Sequence, residues 1–157
     1  MKIAVFPGSF DPFTLAHKDL VDRALSLFDK IYIAIGVNSS KKGLLDFETR
    51  KKAIAAVYKD ESKVVVETFS GLTVDYCKKV NARYILRGLR NSTDLDFENA
   101  IAQNNLVLAP EIETFFLLSK ADKSYISSTI VRDILLHGGS VETLVPREVL
   151  TFINSQL

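Results

Sequence analysis

Residues 1–17 read MKIAVFPGSFDPFTLAH, and this stretch decides how the rest of the chain is organised. Residues 3–6 are an apolar run typical of a buried strand, which Pro7-Gly8 is expected to stop. Thr14 is a natural N-cap for the amphipathic segment that follows, and His17 falls in its first turn. A strand is therefore followed by a tight loop and then by a helix N-terminus. Backbone N–H groups and the helix dipole at that end favour binding of a phosphate group.

The composition favours one globular domain spanning residues 1–157. The 20 basic and 19 acidic side chains give a formal net charge of +1, which indicates neither a nucleic-acid partner nor a membrane partner. The single cysteine, Cys77, cannot form an internal disulfide. The N-terminus lacks the apolar core of a signal peptide, and no apolar run approaches the roughly 18 residues of a membrane span. We therefore expect a cytoplasmic protein.

Apolar strands alternate with helical patterns along the chain. Strands are predicted at residues 3–6, 31–37, 64–68, 84–86 and 114–118, and helices after Thr14 and at residues 47–58, 72–80, 94–108, 129–136 and 146–157. The run IYIAIGV at residues 31–37 is apolar on both faces, as in parallel sheets covered by helices. The alternation predicts an α/β fold: a Rossmann-like, doubly wound sheet of five mostly parallel strands with helices on both faces.

Polar and basic residues follow the predicted strands, at the ends where doubly wound sheets bind ligands. The segments concerned are residues 7–17, 38–42, 70–73, 87–90 and 119–129. Together they bring arginines, lysines, hydroxyl groups, small glycines and one histidine to one rim. Such a set suits a ligand with more than one phosphate, because guanidinium and ammonium groups make strong hydrogen bonds to phosphate oxygens.

Other chemistries are set aside because their motifs are absent. The sequence has no G-x-x-x-x-G-K-[ST] segment and no G-x-G-x-x-G after the first strand, which argues against a P-loop kinase or a dinucleotide-binding dehydrogenase. Its histidines and cysteine do not have zinc-ligand spacing, and it has no G-x-S-x-G elbow. Phosphate-binding side chains with one histidine suit direct transfer between phosphates.

Each candidate residue also has a purely structural interpretation. His17 could pack on the apolar face of its helix, and residues 127–129 could simply cap a helix. Arg87 and Arg90 could form surface ion pairs with carboxylates that follow them in the sequence. The candidate partners are Asp94, Asp96 and Glu98. The functional interpretation depends on all these residues meeting at one rim.

Three motifs, in this order, carry a family resemblance. They are PGSFDP at residues 7–12 with TLAH at residues 14–17, then RGLR at residues 87–90, and YISST at residues 125–129. These motifs resemble those of the nucleotidylyltransferase superfamily and, more narrowly, of the bacterial phosphopantetheine adenylyltransferase family. The resemblance covers essentially the whole chain.

The resemblance implies a reaction in which ATP and 4′-phosphopantetheine give dephospho-coenzyme A and pyrophosphate, a late step of coenzyme A synthesis. The acceptor phosphate attacks the ATP α-phosphorus in line, and Mg²⁺ is carried by the ATP phosphates rather than by protein ligands. The family also implies a homohexamer and feedback inhibition by coenzyme A. Two alternatives are a sister enzyme that uses nicotinate or nicotinamide mononucleotide or a phospho-alcohol, and a nucleotide sensor without turnover.

The resemblance also assigns roles to individual residues. It places His17, Lys41 and Arg90 in catalysis, and it assigns acceptor binding to Ser9, Lys41, Thr73 and Arg87. It assigns ATP binding to Ser9, Phe10, His17, Gly88, Leu89, Arg90, Glu98, Lys123, Ser124, Tyr125, Ile126, Ser127, Ser128 and Thr129. Two positions depart from the family pattern. Ala16 stands where the family usually has glycine, and Lys123 stands where an aromatic residue is common. The alanine should be tolerated if position 16 is helical.

Overall fold

The structure, a computed structural model, describes residues 1–38 and 43–156. Its strands are β1 (Ile3–Gly8), β2 (Lys30–Gly36), β3 (Val64–Phe69), β4 (Tyr84–Leu89) and β5 (Glu113–Leu118). Its helices are α1 (Leu15–Ala24), α2 (Phe47–Val57), α3 (Thr73–Lys79), α4 (Ser92–Leu108), α5 (Ser128–Leu136) and α6 (Arg147–Gln156). None of the helices in the described ranges combines the length and the apolar character needed to cross a membrane.

The strands form one sheet in the order β3-β2-β1-β4-β5, and every pairing is parallel. The chain builds outward from β1 to β3, then crosses back to place β4 on the other side of β1. This order confirms the predicted doubly wound α/β fold. The direction of winding reverses between β1 and β4, which is the point where such sheets bind ligands.

The two central strands separate at this reversal point. Pairing between β1 and β4 covers Ala4 with Tyr84 and Val5 with Ile85, yet β1 continues to Gly8 and β4 to Leu89. Over the same stretch β1 stays paired with β2. The carboxyl ends of β1 and β4 therefore open into a crevice.

Both faces of the sheet carry a hydrophobic core, as the apolar strands predict. On one face Phe6, Ile33 and Leu86 belong to a cluster that includes residues of α1, α2, α5 and α6. On the other face Val5 and Ile85 pack with residues of α3. Alternate residues of β1 thus enter opposite cores, which fixes this strand at the centre of the sheet.

Strands β1 and β4 extend furthest beyond their predicted bounds, since β1 includes Pro7-Gly8 and β4 includes residues 87–89, whereas β3 and β5 are each one residue longer than predicted. The Pro7 carbonyl accepts a hydrogen bond from Arg87 Nη1 at 2.7 Å, so it faces the side of β4. The amide of a strand residue points to the same side as its carbonyl, and pairing with β4 has already ended there. The missing N–H of proline therefore costs no ladder bond.

A buried ion pair holds the loop that follows β1. Asp11 Oδ2 lies 3.3 Å from Arg50 Nη2, and both side chains are almost fully buried. The same carboxylate accepts hydrogen bonds from the backbone N–H groups of Leu44 and Leu45, at 2.8 and 2.9 Å. Arg50 in turn donates to the Ser9 carbonyl at 3.1 Å. The loop between β1 and α1 is thereby fixed to the start of α2.

Helix α5 is tied to the same loop from the other side. Ser128 Oγ donates to the Pro12 carbonyl at 2.8 Å, and Arg132 Nη1 donates to the Asp11 carbonyl at 2.8 Å. Residues far apart in sequence are thus brought to one place. The N-terminal ends of α1 and α5 both lie beside the crevice.

Candidate active site

A cavity of about 270 Å³ occupies the crevice at the carboxyl ends of β1 and β4. Its walls come from β1 and the following loop, the first turns of α1, the end of β4, α4, and the start of α5. Its lining includes ten of the residues that the sequence analysis assigned to a site: Ser9, Phe10, His17, Arg87, Gly88, Arg90, Glu98, Ile126, Ser127 and Ser128. The fold therefore brings most of the predicted set together.

His17 is locked at the start of α1 by a reciprocal pair of hydrogen bonds with Thr14. The Thr14 hydroxyl oxygen accepts from the His17 backbone N–H at 3.4 Å, which confirms Thr14 as the N-cap. In return, the Thr14 backbone N–H donates to His17 Nδ1 at 2.9 Å. Because Nδ1 acts as an acceptor, a neutral ring carries its proton on Nε2. The Nε2–H group is then the donor that the ring can offer to a ligand.

The environment of His17 keeps its ring uncharged. Burial, together with the positive charges of Arg87 and Arg90, lowers the pKa of His17 from 6.5 to about 3. The ring stacks on Phe13 with centroids 5.4 Å apart, and Phe10 meets its edge at 5.1 Å. The sequence leaves the charge state open, and the lowered pKa indicates a neutral imidazole at pH 7.

The backbone turns sharply where the loop leaves β1. Phe10 has a φ of +48°, in the left-handed region that non-glycine residues rarely adopt. Its buried ring lies 2.9 Å from the position that a Cβ atom on Gly8 would occupy. Glycine is therefore required at position 8 for the ring to fold back onto the strand. Such strain is common in loops that hold ligands.

Both arginines at the cavity form the ion pairs that the structural interpretation predicted. Arg87 Nε donates to Glu98 Oε2 at 3.0 Å, and Arg87 Nη2 donates to Glu98 Oε1 at 2.5 Å. The backbone N–H and the Nε of Arg90 donate to Asp94 Oδ2, at 3.0 and 3.1 Å. Both arginines also line the first cavity, so forming these ion pairs does not remove them from the candidate site.

A second cavity of about 280 Å³ lies beside the first. It shares Pro7-Gly8, Arg87 and Glu98 with the first cavity and extends between β2, α3 and α4. Thr73 is the one further residue here that the sequence analysis assigned to substrate binding. The sequence analysis missed the other lining residues, among which are Phe69, Ile101, Ala102 and Asn105. The helical spacing of Glu98, Ile101, Ala102 and Asn105 on α4 was the signal that could have found them.

The remaining assigned residues lie outside the lining of the two cavities. Leu89 is buried in β4, and Tyr125 is 61% exposed. Lys123 pairs with Asp122 at 3.1 Å. Ser124 Oγ donates to the Ala121 carbonyl, and Thr129 accepts a hydrogen bond from Arg132. Lys41 falls outside the described residues.

Two local predictions concern helix starts. Ser127 caps α5 by accepting from the Ile130 N–H at 3.2 Å, so its capping role is confirmed while it also lines the first cavity. Ala16 lies within the first turn of α1 and is buried. Position 16 is therefore helical, which is the condition under which alanine is expected to be tolerated in place of glycine.

Comparisons with known proteins agree with this geometry. A family model described as cytidylyltransferase-like matches residues 5–134. A relative from Christiangramia forsetii named phosphopantetheine adenylyltransferase is 58% identical over 146 residues, covering 93% of this chain and 96% of the relative. A relative of the same name from Flavobacterium johnsoniae is 56% identical over 149 residues, which cover 95% of this chain and 97% of the relative. A solved structure from Vibrio parahaemolyticus, provisionally named nicotinate-nucleotide adenylyltransferase, matches with a TM-score of 0.73 at 24% identity. The match covers 98% of this chain and 100% of the Vibrio parahaemolyticus chain, and the two proteins share the fold.

The environment of His17 makes a prediction for nuclear magnetic resonance of the ¹⁵N-labelled imidazole. We expect signals of the neutral ring, with the proton on Nε2, from pH 7 down to pH 4, because the pKa is lowered to about 3. The unfolded chain binds this proton at an ordinary pKa of 6.5, so it binds more protons than the folded chain between the two values. The free energy of unfolding therefore falls as the pH decreases from about 6.5 to about 3. A titration midpoint near 6.5 in the folded protein would contradict this description.

Proposed function

The chain belongs to the phosphopantetheine adenylyltransferase family of cytidylyltransferase-like proteins, and we propose that it transfers the adenylyl group of ATP to 4′-phosphopantetheine. The products are dephospho-coenzyme A and pyrophosphate, in a late step of coenzyme A synthesis. Residues 1–157 act as one nucleotidylyltransferase domain. The observation that carries the proposal is the pair of adjoining cavities, one polar and lined by His17 and two arginines, the other largely apolar.

The first cavity suits the nucleotide. The N-termini of α1 and α5 both reach this cavity, beside the turn at Ser9 and Phe10. Two helix N-termini at one space favour bound phosphates. His17 donates from Nε2 to an oxygen of the α-phosphate, where charge accumulates in the transition state. Arg90 adds positive charge at the same cavity. As a neutral donor fixed in place before reaction, His17 stabilises that charge without a proton transfer.

The remaining assigned residues complete the nucleotide site. Gly88 and Leu89 place the end of β4 against the nucleotide. The segment at residues 123–129 closes over the adenine and the outer phosphates. Because Lys123 has no aromatic ring, this chain lacks the stacking on adenine that the family resemblance associates with position 123, and its ammonium group pairs with Asp122.

The second cavity suits the acceptor. Phe69, Ile101 and Ala102 give it an apolar lining for the extended pantetheine arm, and Thr73 and Asn105 supply hydrogen-bonding groups. Arg87 stands at the boundary with the nucleotide cavity and binds the acceptor phosphate there. Ser9 lies between the two substrates. Lys41, which lies outside the described residues, is proposed at the same phosphate and in catalysis.

The reaction proceeds by one displacement at phosphorus. An oxygen of the 4′-phosphate forms a bond to the ATP α-phosphorus, and the bond from that phosphorus to the bridging oxygen breaks. Pyrophosphate leaves with the electrons of the broken bond, and no covalent enzyme intermediate forms. With the nucleotide in the first cavity and the acceptor in the second, attacking and leaving groups would lie on opposite sides of the α-phosphorus, and such positioning supplies much of the rate in phosphoryl transfer.

We propose that Mg²⁺ enters the site bound to the ATP phosphates. Within residues 1–38 and 43–156, no group of three His, Cys, Asp or Glu side chains could hold a metal ion. The carboxylates of Asp94 and Glu98, which line the first cavity, are paired with arginines. In this proposal, the chain's contribution is to bind the phosphates that carry the ion.

We also propose a cytoplasmic homohexamer that coenzyme A inhibits. Helix α4 supports the assembly, because several of its apolar side chains are exposed in the single chain: Leu95, Phe97, Ile101, Val107 and Leu108. A sedimentation mass of six times 17.5 kDa is the expected result, and a stable monomer would refute it. Coenzyme A carries both the pantetheine arm and the adenosine nucleotide, so it would compete at both cavities.

Pyrophosphate release tests the proposed function. With ATP and Mg²⁺ present, we expect release with 4′-phosphopantetheine and only background with nicotinate mononucleotide, nicotinamide mononucleotide or glycerol phosphate. The apolar second cavity fits the pantetheine arm and leaves the charged or short alternatives without contacts. Release only with one of the other acceptors would identify a sister enzyme. ATP binding without release for any acceptor would identify a nucleotide sensor, and either result contradicts the proposal.

A further inference from the structure

Arg87 and Glu98 form the wall between the two cavities, since both side chains line both spaces. Glu98 is buried on α4 at 7% exposure, whereas the Arg87 side chain is 31% exposed. Their ion pair is bidentate, with Nε and Nη2 of the arginine each donating to a different carboxylate oxygen. A planar pair of this kind fixes the rotation of the guanidinium group as well as balancing its charge.

The guanidinium group keeps donors available for a ligand. Arginine has five N–H groups, of which Glu98 receives one from Nε and one from Nη2. Nη1 donates to the Pro7 carbonyl at 2.7 Å and so bridges the gap where β1 and β4 separate. Among contacts within the described ranges, these three bonds leave one N–H on Nη1 and one on Nη2. Both terminal nitrogens can therefore still donate to an oxygen in the cavities.

The carboxylate of Glu98 is placed differently. Both of its oxygens accept from Arg87, so the ion pair fixes the guanidinium group from the side of α4. We propose that Glu98 is a positioning residue, which holds the remaining N–H groups of Arg87 toward the acceptor phosphate. This inference rests on the proposed function, because it takes 4′-phosphopantetheine as the acceptor.

Glu98→Gln tests the proposal through the two Michaelis constants, measured by pyrophosphate release. The amide keeps the size of the side chain but presents a donor in place of one acceptor oxygen, so it cannot hold both guanidinium nitrogens. We expect the KM for 4′-phosphopantetheine to rise about 10- to 100-fold and the KM for ATP to stay within about threefold. A rise confined to the KM for ATP, or no change in either constant, overturns the proposal. Inactivity of the wild-type protein would instead overturn the proposed function.

Two further variants control for general effects of the substitution. Asp96→Asn makes the same change from carboxylate to amide at an exposed position of α4, and both of its constants should match the wild type. Glu98→Asp keeps the charge on a shorter side chain and should restore part of the affinity for the acceptor. Circular dichroism checks folding, and if Glu98→Gln does not fold, Glu98→Asp is judged by the same comparison of the two constants.

A double-mutant cycle separates positioning of Arg87 from any independent effect of Glu98. In an Arg87→Gln background no guanidinium group is left to position. Adding Glu98→Gln should then change the calorimetric Kd for 4′-phosphopantetheine by less than about threefold. If the fold-changes in Kd caused by the two single substitutions instead multiply in the double variant, the proposal is overturned.

Discussion

The reciprocal hydrogen bonds between Thr14 and His17 are the interaction on which the site depends. They begin α1 at a defined residue and make Nδ1 an acceptor, which leaves the ring proton on Nε2. Burial and two neighbouring guanidinium groups then lower the pKa of the ring, so the imidazole is a neutral donor at pH 7. A common helix cap thereby becomes a fixed hydrogen-bond donor at the crevice. Phe10 and Phe13 hold the ring from two sides.

The second constraint is the early separation of β1 and β4. Pairing between these strands ends at Val5, while the Arg87 side chain reaches across the gap to Pro7. This one arginine bridges the two strands and lines both cavities, and in the proposed function it binds the acceptor phosphate. Its ion pair with Glu98 is therefore part of the site and not merely a surface contact. In such an arrangement, structural and functional roles belong to the same residues.

Much of the fold could be predicted from the sequence, because apolar strands and capped helices leave local signals. Thr14 was identified as a cap from residue type, residues 127–129 were recognised as a possible cap, and the apolar run in β2 indicated a strand buried on both faces. The ends of β1 and β4 were predicted too short, since the cost of Pro7 depends on which neighbour its amide faces. The second cavity was largely missed because Phe69 at the end of β3 and Asn105 on α4 line the same space only in the folded sheet. Tertiary contacts of this kind have no local signature.

The central claim is that a neutral His17, aimed by Thr14, stabilises the charge that develops at the α-phosphate. The most direct measurement is steady-state turnover of His17→Ala with ATP and 4′-phosphopantetheine. The account predicts a fall in kcat of about 10²- to 10³-fold with a much smaller change in the KM for ATP, because the lost bond acts mainly in the transition state. A kcat close to that of the wild type would contradict it.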